Sequence, residues 1–430
     1  MSYYCREQDG DVKRASERSV QSETRIIPGF FTLARHTYGR VLRFMYKMSI
    51  TVPESVRSLE PPYLILANHV NTFDPILISV MYDKPIHWVA GDTLFRNPVL
   101  GYMLRNLVGS ISKSKSRSDY YTIREMTRII RKQKGIVGLF PEGQRTWDGR
   151  TLPLFYSTAK LVKMQRVPVV TCILEGGYHT LPRWSNRRRP GRLVLSFRDP
   201  IMPETFAGKS TDEIYAMLTG ALDFDAHEYQ RTHRIKFRNR RRAEHLEHVL
   251  FVCPDCGSIA TLHSDHNDLS CRHCGLVVHM NEYGFLSSGR RGFNFTTVAE
   301  WNRWQLAEMR HRLESGFWKE QDPIFSGDRA LFGKGYRDQK LTYIGEGDVT
   351  LSLDGLHVTV GSESHRFEFG RMESVNVAFQ RIFEFYYDNT LYRLKFPPPR
   401  ASAYKYLSMI ESIMEFAAEE KAALPLEEQQ

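Results

Sequence analysis

Tyr63-Leu64-Ile65-Leu66-Ala67 runs directly into Asn68-His69-Val70-Asn71-Thr72-Phe73-Asp74-Pro75. Five apolar residues in succession suit a short buried strand. The strand delivers a histidine into a turn, and an aspartate follows five positions later. A carboxylate so placed can hold an imidazole in one tautomer and stabilise the imidazolium once it has taken a proton. The spacing is weak evidence by itself, because a chain with 15 histidines supplies about one such pair by chance.

Working outward, residues 51–227 alternate apolar runs with helical patterns. Strands are expected at Tyr63–Ala67, Ile86–Ala90, Gly135–Phe140, Val167–Leu174 and Leu193–Phe197. Helices are expected at Pro75–Met81, Val99–Leu107, Asp119–Gln133, Ser157–Gln165 and Thr211–Asp225. The alternation predicts an α/β domain with a largely buried sheet. After the strand at Gly135–Phe140 comes Phe140-Pro141-Glu142-Gly143-Gln144-Arg145-Thr146, which puts a carboxylate, a flexible backbone and a guanidinium at one strand terminus. Open α/β sheets bind ligands at the carboxyl ends of their strands, and arginine there can grip a phosphate through two N–H groups.

Together these stretches resemble the glycerolipid acyltransferases, the family of lysophosphatidic acid acyltransferase. The family's NHxxxxD block matches Asn68-His69 through Asp74, with Pro75 after it, and its FPEGxR block followed by Ser or Thr matches Phe140–Thr146. A second block is looser at Gly109-Ser110-Ile111-Ser112-Lys113-Ser114-Lys115, where Lys115 replaces an arginine. A fourth is met in part by Val167-Pro168-Val169-Val170, with Thr171 in place of a second proline, and Ser157 stands where the family often has glycine. The resemblance covers about residues 40–245. It implies that His69 is the general base on an acceptor hydroxyl and that Asp74 orients and stabilises it. It assigns substrate binding to Lys115, Glu142, Gly143, Arg145 and Thr146, with the phosphate on Arg145, Lys115 and the Gly143 backbone. A Glu142–Arg145 salt bridge shaping the loop is the structural alternative.

The same resemblance implies acyl-CoA or acyl carrier protein as donor, no catalytic cofactor, and a lysophospholipid acceptor. That acceptor is 1-acylglycerol 3-phosphate first, with glycerol 3-phosphate or another lysolipid as alternatives. The net charge of +10 asks for an anionic partner such as a membrane surface or the acidic carrier. The loop bearing Arg183, Arg187, Arg188, Arg189 and Arg192 is one candidate contact for the carrier; a solvated loop is the other reading. No run of about 18 apolar residues is present, so no membrane-crossing helix is expected. The opening residues do not carry a signal peptide's apolar core. The expected location is therefore cytoplasmic, peripheral on the inner membrane face.

The rest of the chain divides by composition. Residues 1–27 read as a disordered lead-in. Residues 28–50 read as one amphipathic helix with a basic stripe at His36, Arg40, Arg43 and Lys47, suited to a membrane interface or to packing on the next domain. Residues 228–250 read as a basic helical connector, either a solvated face or a contact for anionic lipid. Within 251–285, Cys253-Pro254-Asp255-Cys256-Gly257 and Cys271-Arg272-His273-Cys274-Gly275 give a closed four-thiolate site, a structural zinc ribbon, with rubredoxin-like iron as the minor alternative. Residues 286–430 read as a small α+β unit of hairpins closed by a C-terminal helix, resembling pleckstrin-homology or GRAM domains. The ribbon and basic connector also suit a nucleic-acid protein, but that reading leaves both acyltransferase blocks unexplained, so nucleic acid is not expected. A catalytically silent lipid-binding protein is the remaining rival.

Overall fold

The computed structural model describes residues 24–113, 120–336, 341–397 and 402–423. Its amino-terminal half is built on seven strands: β1 (Met48–Thr51), β2 (Tyr63–Ala67), β3 (Ile86–Gly91), β4 (Ile111–Lys113), β5 (Ile136–Leu139), β6 (Val169–Glu175) and β7 (Leu193–Phe197), in the order β1-β7-β6-β2-β5-β3-β4. Every pairing is parallel except β6 with β7. The uninterrupted apolar run of β2 has a direct explanation. Tyr63, Ile65 and Ala67 point into one hydrophobic core and Leu64 and Leu66 into another, on the opposite face. Helices α1 (Pro28–His36), α2 (Tyr38–Met45) and α3 (Asp74–Met81) lie with the first core. α4 (Pro98–Asn106) follows β3, and α5 (Tyr120–Arg128), α6 (Tyr156–Gln165) and α7 (Thr211–Leu222) lie with the second core. The expected α/β class is observed.

The single helix expected over 28–50 is instead two helices and a strand. Thr37, at φ −100° and ψ −81°, separates α1 from α2, and Gly39 lets α2 approach α3, since a Cβ there would lie 3.1 Å from that of Val80. The chain then turns at Lys47 and pairs Met48–Thr51 with β7. Of the lead-in, residues 24–27 are ordered, for a local reason: Thr24 donates through N–H and hydroxyl to Glu125, and Ile26 bridges to Val108. The basic connector is α-helical only at its start, in α8 (Ala226–His233), which Arg234 ends in a left-handed conformation, and has one 3-10 turn at Leu246–His248. The helix expected at Asp119–Gln133 is described from Tyr120, and its last turn is a π-helix at Ile129–Gln133. The other expected helices shift by a residue or two at their ends, and Thr211–Asp225 stops at Leu222.

The carboxy-terminal half holds two antiparallel sheets. The smaller contains β8 (Leu262–Asp265), β9 (Asp268–Cys271), β10 (Val277–Met280) and β11 (Leu286–Ser287). After α9 (Val298–Glu314), capped by the reciprocal Thr297 and Glu300 pair, come β12 (Phe325–Gly335), β13 (Thr342–Ser352), β14 (Gly355–Val360), β15 (Glu363–Phe367), β16 (Met372–Ala378), β17 (Ile382–Tyr387) and β18 (Thr390–Lys395). They are ordered β15-β14-β13-β12-β18-β17-β16, and α10 (Ala403–Ala423) packs on them. One hydrophobic core runs through the connector, the small sheet, α9, the large sheet and α10. Trp147 and Trp184 of the amino-terminal half enter that same core.

Candidate active site

The turn after β2 is pinned by Asn68, whose Oδ1 accepts the Leu174 N–H of neighbouring β6 at 2.8 Å. Asp74 opens α3 with no solvent exposure. Its Oδ2 accepts the N–H groups of Val70 and Asn71, both at 2.8 Å, and faces His69 Nδ1 at 2.9 Å. A carboxylate only accepts, so Nδ1 carries the imidazole proton and Nε2 holds the lone pair. The helix N-terminus adds a favourable field for the anion. The imidazole stacks on Phe140, 4.4 Å between centroids, and Phe140 stacks on Trp88 at 4.9 Å. Burial holds His69 below the usual histidine pKa of 6.5, with Asp74 pulling upward and Arg145 and Arg183 pushing down. A neutral imidazole with a free Nε2 near pH 7 is a competent base.

The Phe140–Thr146 stretch is zipped to the first through the His69 backbone. Glu142 Oε1 accepts the His69 N–H at 2.6 Å, Oε2 accepts the Leu152 N–H at 2.8 Å, and the Thr146 N–H donates to the His69 carbonyl at 2.9 Å. Glu142 is buried, which pushes its carboxyl up to about 8 against the pull of those two N–H groups. Both its oxygens are occupied by backbone, and among the described residues it forms no ion pair with Arg145. Gly143 sits at φ +69°, and a Cβ there would fall 1.9 Å from the Phe155 ring, so only glycine fits. Thr146 is fully buried and its hydroxyl accepts the Gly149 N–H at 3.0 Å, closing the turn and facing away from solvent. Arg145 is half-buried, and its Nη2 lies 3.5 Å from the carbonyl of Phe379. Lys115 lies outside the described residues; Ile111–Lys113 before it form β4, beside β3.

Sequence reasoning misplaced Arg183 and Arg189. Both were set in an exposed basic loop, yet each is 2% exposed, while Arg187, Arg188 and Arg192 are exposed. Arg183 donates to Gln144 Oε1 at 3.1 Å, to the Arg145 carbonyl at 2.6 Å and to the Val377 carbonyl at 2.6 Å, with its guanidinium 4.2 Å from the Trp147 ring centroid. Arg189 lies over Trp184. The available signal was position: Arg183 follows the carboxyl end of β6, on the rim where the site forms, and is flanked by Pro182 and Trp184.

In the carboxy-terminal half, Cys253, Cys256, Cys271 and Cys274 place their sulfurs within 4.8 Å of one another. Each CxxC pair closes on a glycine, Gly257 donating to the Cys253 carbonyl and Gly275 to the Cys271 carbonyl, at φ +69° and +74°.

Residues 47–175 match the family model described as Acyltransferase. A 1-acyl-sn-glycerol-3-phosphate acyltransferase of Cocos nucifera is 25% identical over 185 residues, 43% of this chain and 59% of that protein. The enzyme of the same name in Saccharomyces cerevisiae is 23% identical over 172 residues, 39% of this chain and 56% of that one. This chain therefore spans little more than half the length of these curated relatives. The crystal structure of the 1-acyl-sn-glycerophosphate (LPA) acyltransferase PlsC from Thermotoga maritima aligns with a TM-score of 0.40 at 19% identity, covering 47% of this chain and 78% of that one. The family-model match spans residues 47–175, which hold both the His69–Asp74 pair and the Phe140–Thr146 stretch.

Proposed function

We propose that this protein transfers a fatty acyl group from acyl-CoA or acyl carrier protein to the free hydroxyl of a lysophospholipid, 1-acylglycerol 3-phosphate, to give phosphatidic acid. The observation that carries the reading is the His69–Asp74 pair with its free Nε2, hydrogen-bonded through backbone to the loop that bears Arg145. In the proposed reaction His69 Nε2 takes the hydroxyl proton, the oxygen attacks the thioester carbonyl, the new C–O bond forms, and the C–S bond breaks. The imidazolium, stabilised by Asp74, returns the proton to the departing thiolate. Arg145, with Lys115 and the Gly143 backbone, holds the acceptor phosphate. Glu142 braces the loop, and Thr146 shapes its turn.

Three further readings belong to this proposal. The four cysteines suit a structural zinc ion: two CxxC turns give four thiolates and no open position, which stabilises the fold without entering the chemistry. The seven-stranded sheet closed by α10 supports the pleckstrin-homology or GRAM-like reading of the last unit. Peripheral attachment to an anionic membrane at the cytoplasmic face is supported by the apolar side chains that α1, α2 and α4 leave in solvent, notably Phe44 at 86% exposure and Val99 at 69%. Arg35, His36, Arg40, Arg43 and Lys47 are interleaved with them. No helix among the described residues is long and apolar enough to cross a membrane. Each large apolar side chain buried in the lipid interface contributes about 1.5–3 kcal/mol.

The test is acyl transfer to lysophosphatidic acid presented in vesicles. The wild type is expected to form phosphatidic acid, and His69→Ala to lose about a hundredfold to ten-thousandfold in kcat/KM with unchanged circular dichroism. Because the base must be neutral, kcat/KM rises with pH through the His69 pKa, and its acid limb is expected to have a midpoint below 6.5. An inactive wild type across thioester donors and lysolipid acceptors overturns the reading.

A further inference from the structure

The loop proposed to hold the acceptor phosphate is finished by the carboxy-terminal sheet. Arg145 reaches the carbonyl of Phe379 at 3.5 Å, in the tight turn joining β16 to β17. Arg183 spans the same junction, with one N–H group on the Arg145 carbonyl and another on the Val377 carbonyl. A second clamp lies two residues into β17 from the turn. Arg96, from the turn after β3, donates to Glu384 Oε1 at 2.9 Å, and Arg393 pairs with the same carboxylate. Glu384 is 2% exposed and Arg96 only 11%. Losing one partner of such a buried pair strands a charge, so the hairpin is fixed against the rim and not merely resting on it.

The turn itself is unusual. Phe379 adopts φ +56°, a left-handed conformation that a bulky residue takes at a cost of about 1–3 kcal/mol, and glycine would adopt it freely. Its ring is 53% exposed although the residue lies at the junction of two packed units. Neither the turn's geometry nor the core packing asks for phenylalanine here. A cation whose N–H meets the carbonyl of a residue with an exposed phenyl ring is a combination suited to an anionic amphiphile, with phosphate on the cation and an acyl chain beside the ring.

We infer that the Phe379–Arg381 turn is a wall of the acceptor site, that Phe379 is a specificity-determining residue favouring a phosphate-bearing acceptor with an acyl chain over one without, and that Arg183 is the positioning residue joining this wall to Arg145. The inference rests on the acyltransferase reading above. Phosphate binding exchanges the Phe379 carbonyl for a phosphate oxygen on Arg145 Nη2, and the turn meets the acceptor at that point.

Phe379→Gly separates the role from folding, since glycine relieves the left-handed strain and the variant is expected to melt no lower than the wild type. It is expected to raise KM for lysophosphatidic acid at least fivefold, to leave KM for acyl-CoA within twofold, and to narrow the preference for lysophosphatidic acid over glycerol 3-phosphate. Phe379→Leu, which keeps an apolar side chain, is expected to stay within twofold of the wild type on both substrates. An unchanged acceptor KM in Phe379→Gly, or equal changes for donor and acceptor, overturns the inference. Calorimetric binding of lysophosphatidic acid without donor decides it even where no transfer is seen: binding at least fivefold weaker in Phe379→Gly supports the wall, and equal binding refutes it. Absence of transfer by the wild type, by contrast, refutes the functional reading alone.

Discussion

The two pieces of the proposed site are built in opposite ways. The contact between imidazole and carboxylate is local: Asp74 meets His69 within five residues and is held by the N–H groups of Val70 and Asn71, at one strand end and one helix start. The Phe140–Asp148 loop is held from a distance. Asp148 accepts from Asn302, 154 residues later; Arg183 ties the loop to Val377; Arg145 meets Phe379, 234 residues later; and Trp147 packs at 4.8 Å on Tyr404. The proposed base is thus oriented by its near neighbours in sequence, and Arg145, proposed to hold the acceptor, is reached by residues that lie outside the family match. Acid–base chemistry and acceptor positioning are separable by mutation to the extent that this contrast holds.

The strongest way to break it is to remove residues 250–430. If the amino-terminal half were self-sufficient, it would fold and keep its chemistry. The shared core predicts otherwise: Trp147 and Trp184 lose their surroundings, and a buried tryptophan stripped of packing costs about 3–5 kcal/mol, against a total stability of about 5–15 kcal/mol. The truncated chain is expected to be insoluble or molten, with no cooperative thermal transition and no transfer; a soluble, active fragment would dissolve the distinction drawn here. A smaller loss is expected from Cys271→Ser. Bound zinc is expected to fall from one per chain to none and the melting temperature to drop by about 10 °C, because metal binding is coupled to folding. In plasma emission spectrometry and calorimetry, an unchanged metal content and melting point would count against the zinc reading. The smallest effect on chemistry is expected from reversing Arg234, Arg238 and Arg240 to glutamate. These residues have no acidic partner among the described residues, unlike Arg231, Lys236 and Arg241. Binding to anionic vesicles is expected to weaken about tenfold at low salt, with transfer to detergent-dispersed acceptor unaltered. Undiminished vesicle binding would return the connector to a solvated face.

What was legible in the sequence follows the same division between local and distant. The β2 strand, the His69–Asp74 pair and the paired cysteines are encoded in runs of a few residues, and each could be read where it stands. β12 was missed because Gly327, Gly333 and Gly335 break its apolar alternation, and glycine is poor in strands unless a partner supplies the packing. Met48–Ile50 fall within the expected helix because so short a segment cannot declare a period, and only pairing with β7 makes Met48–Thr51 a strand. Arg183 and Arg187 look alike in sequence. One is sealed under Trp147 and the other is exposed beside Glu244, a difference decided by contacts the chain makes much later.

The packing of Trp147 on Tyr404 also has a meaning in time. A ribosome adds about 5–20 residues per second, so the roughly 250 residues between those rings take about 13–50 s to emerge. Through that interval the contact between Asp74 and His69 can already form, while the Phe140–Asp148 loop waits for its last support.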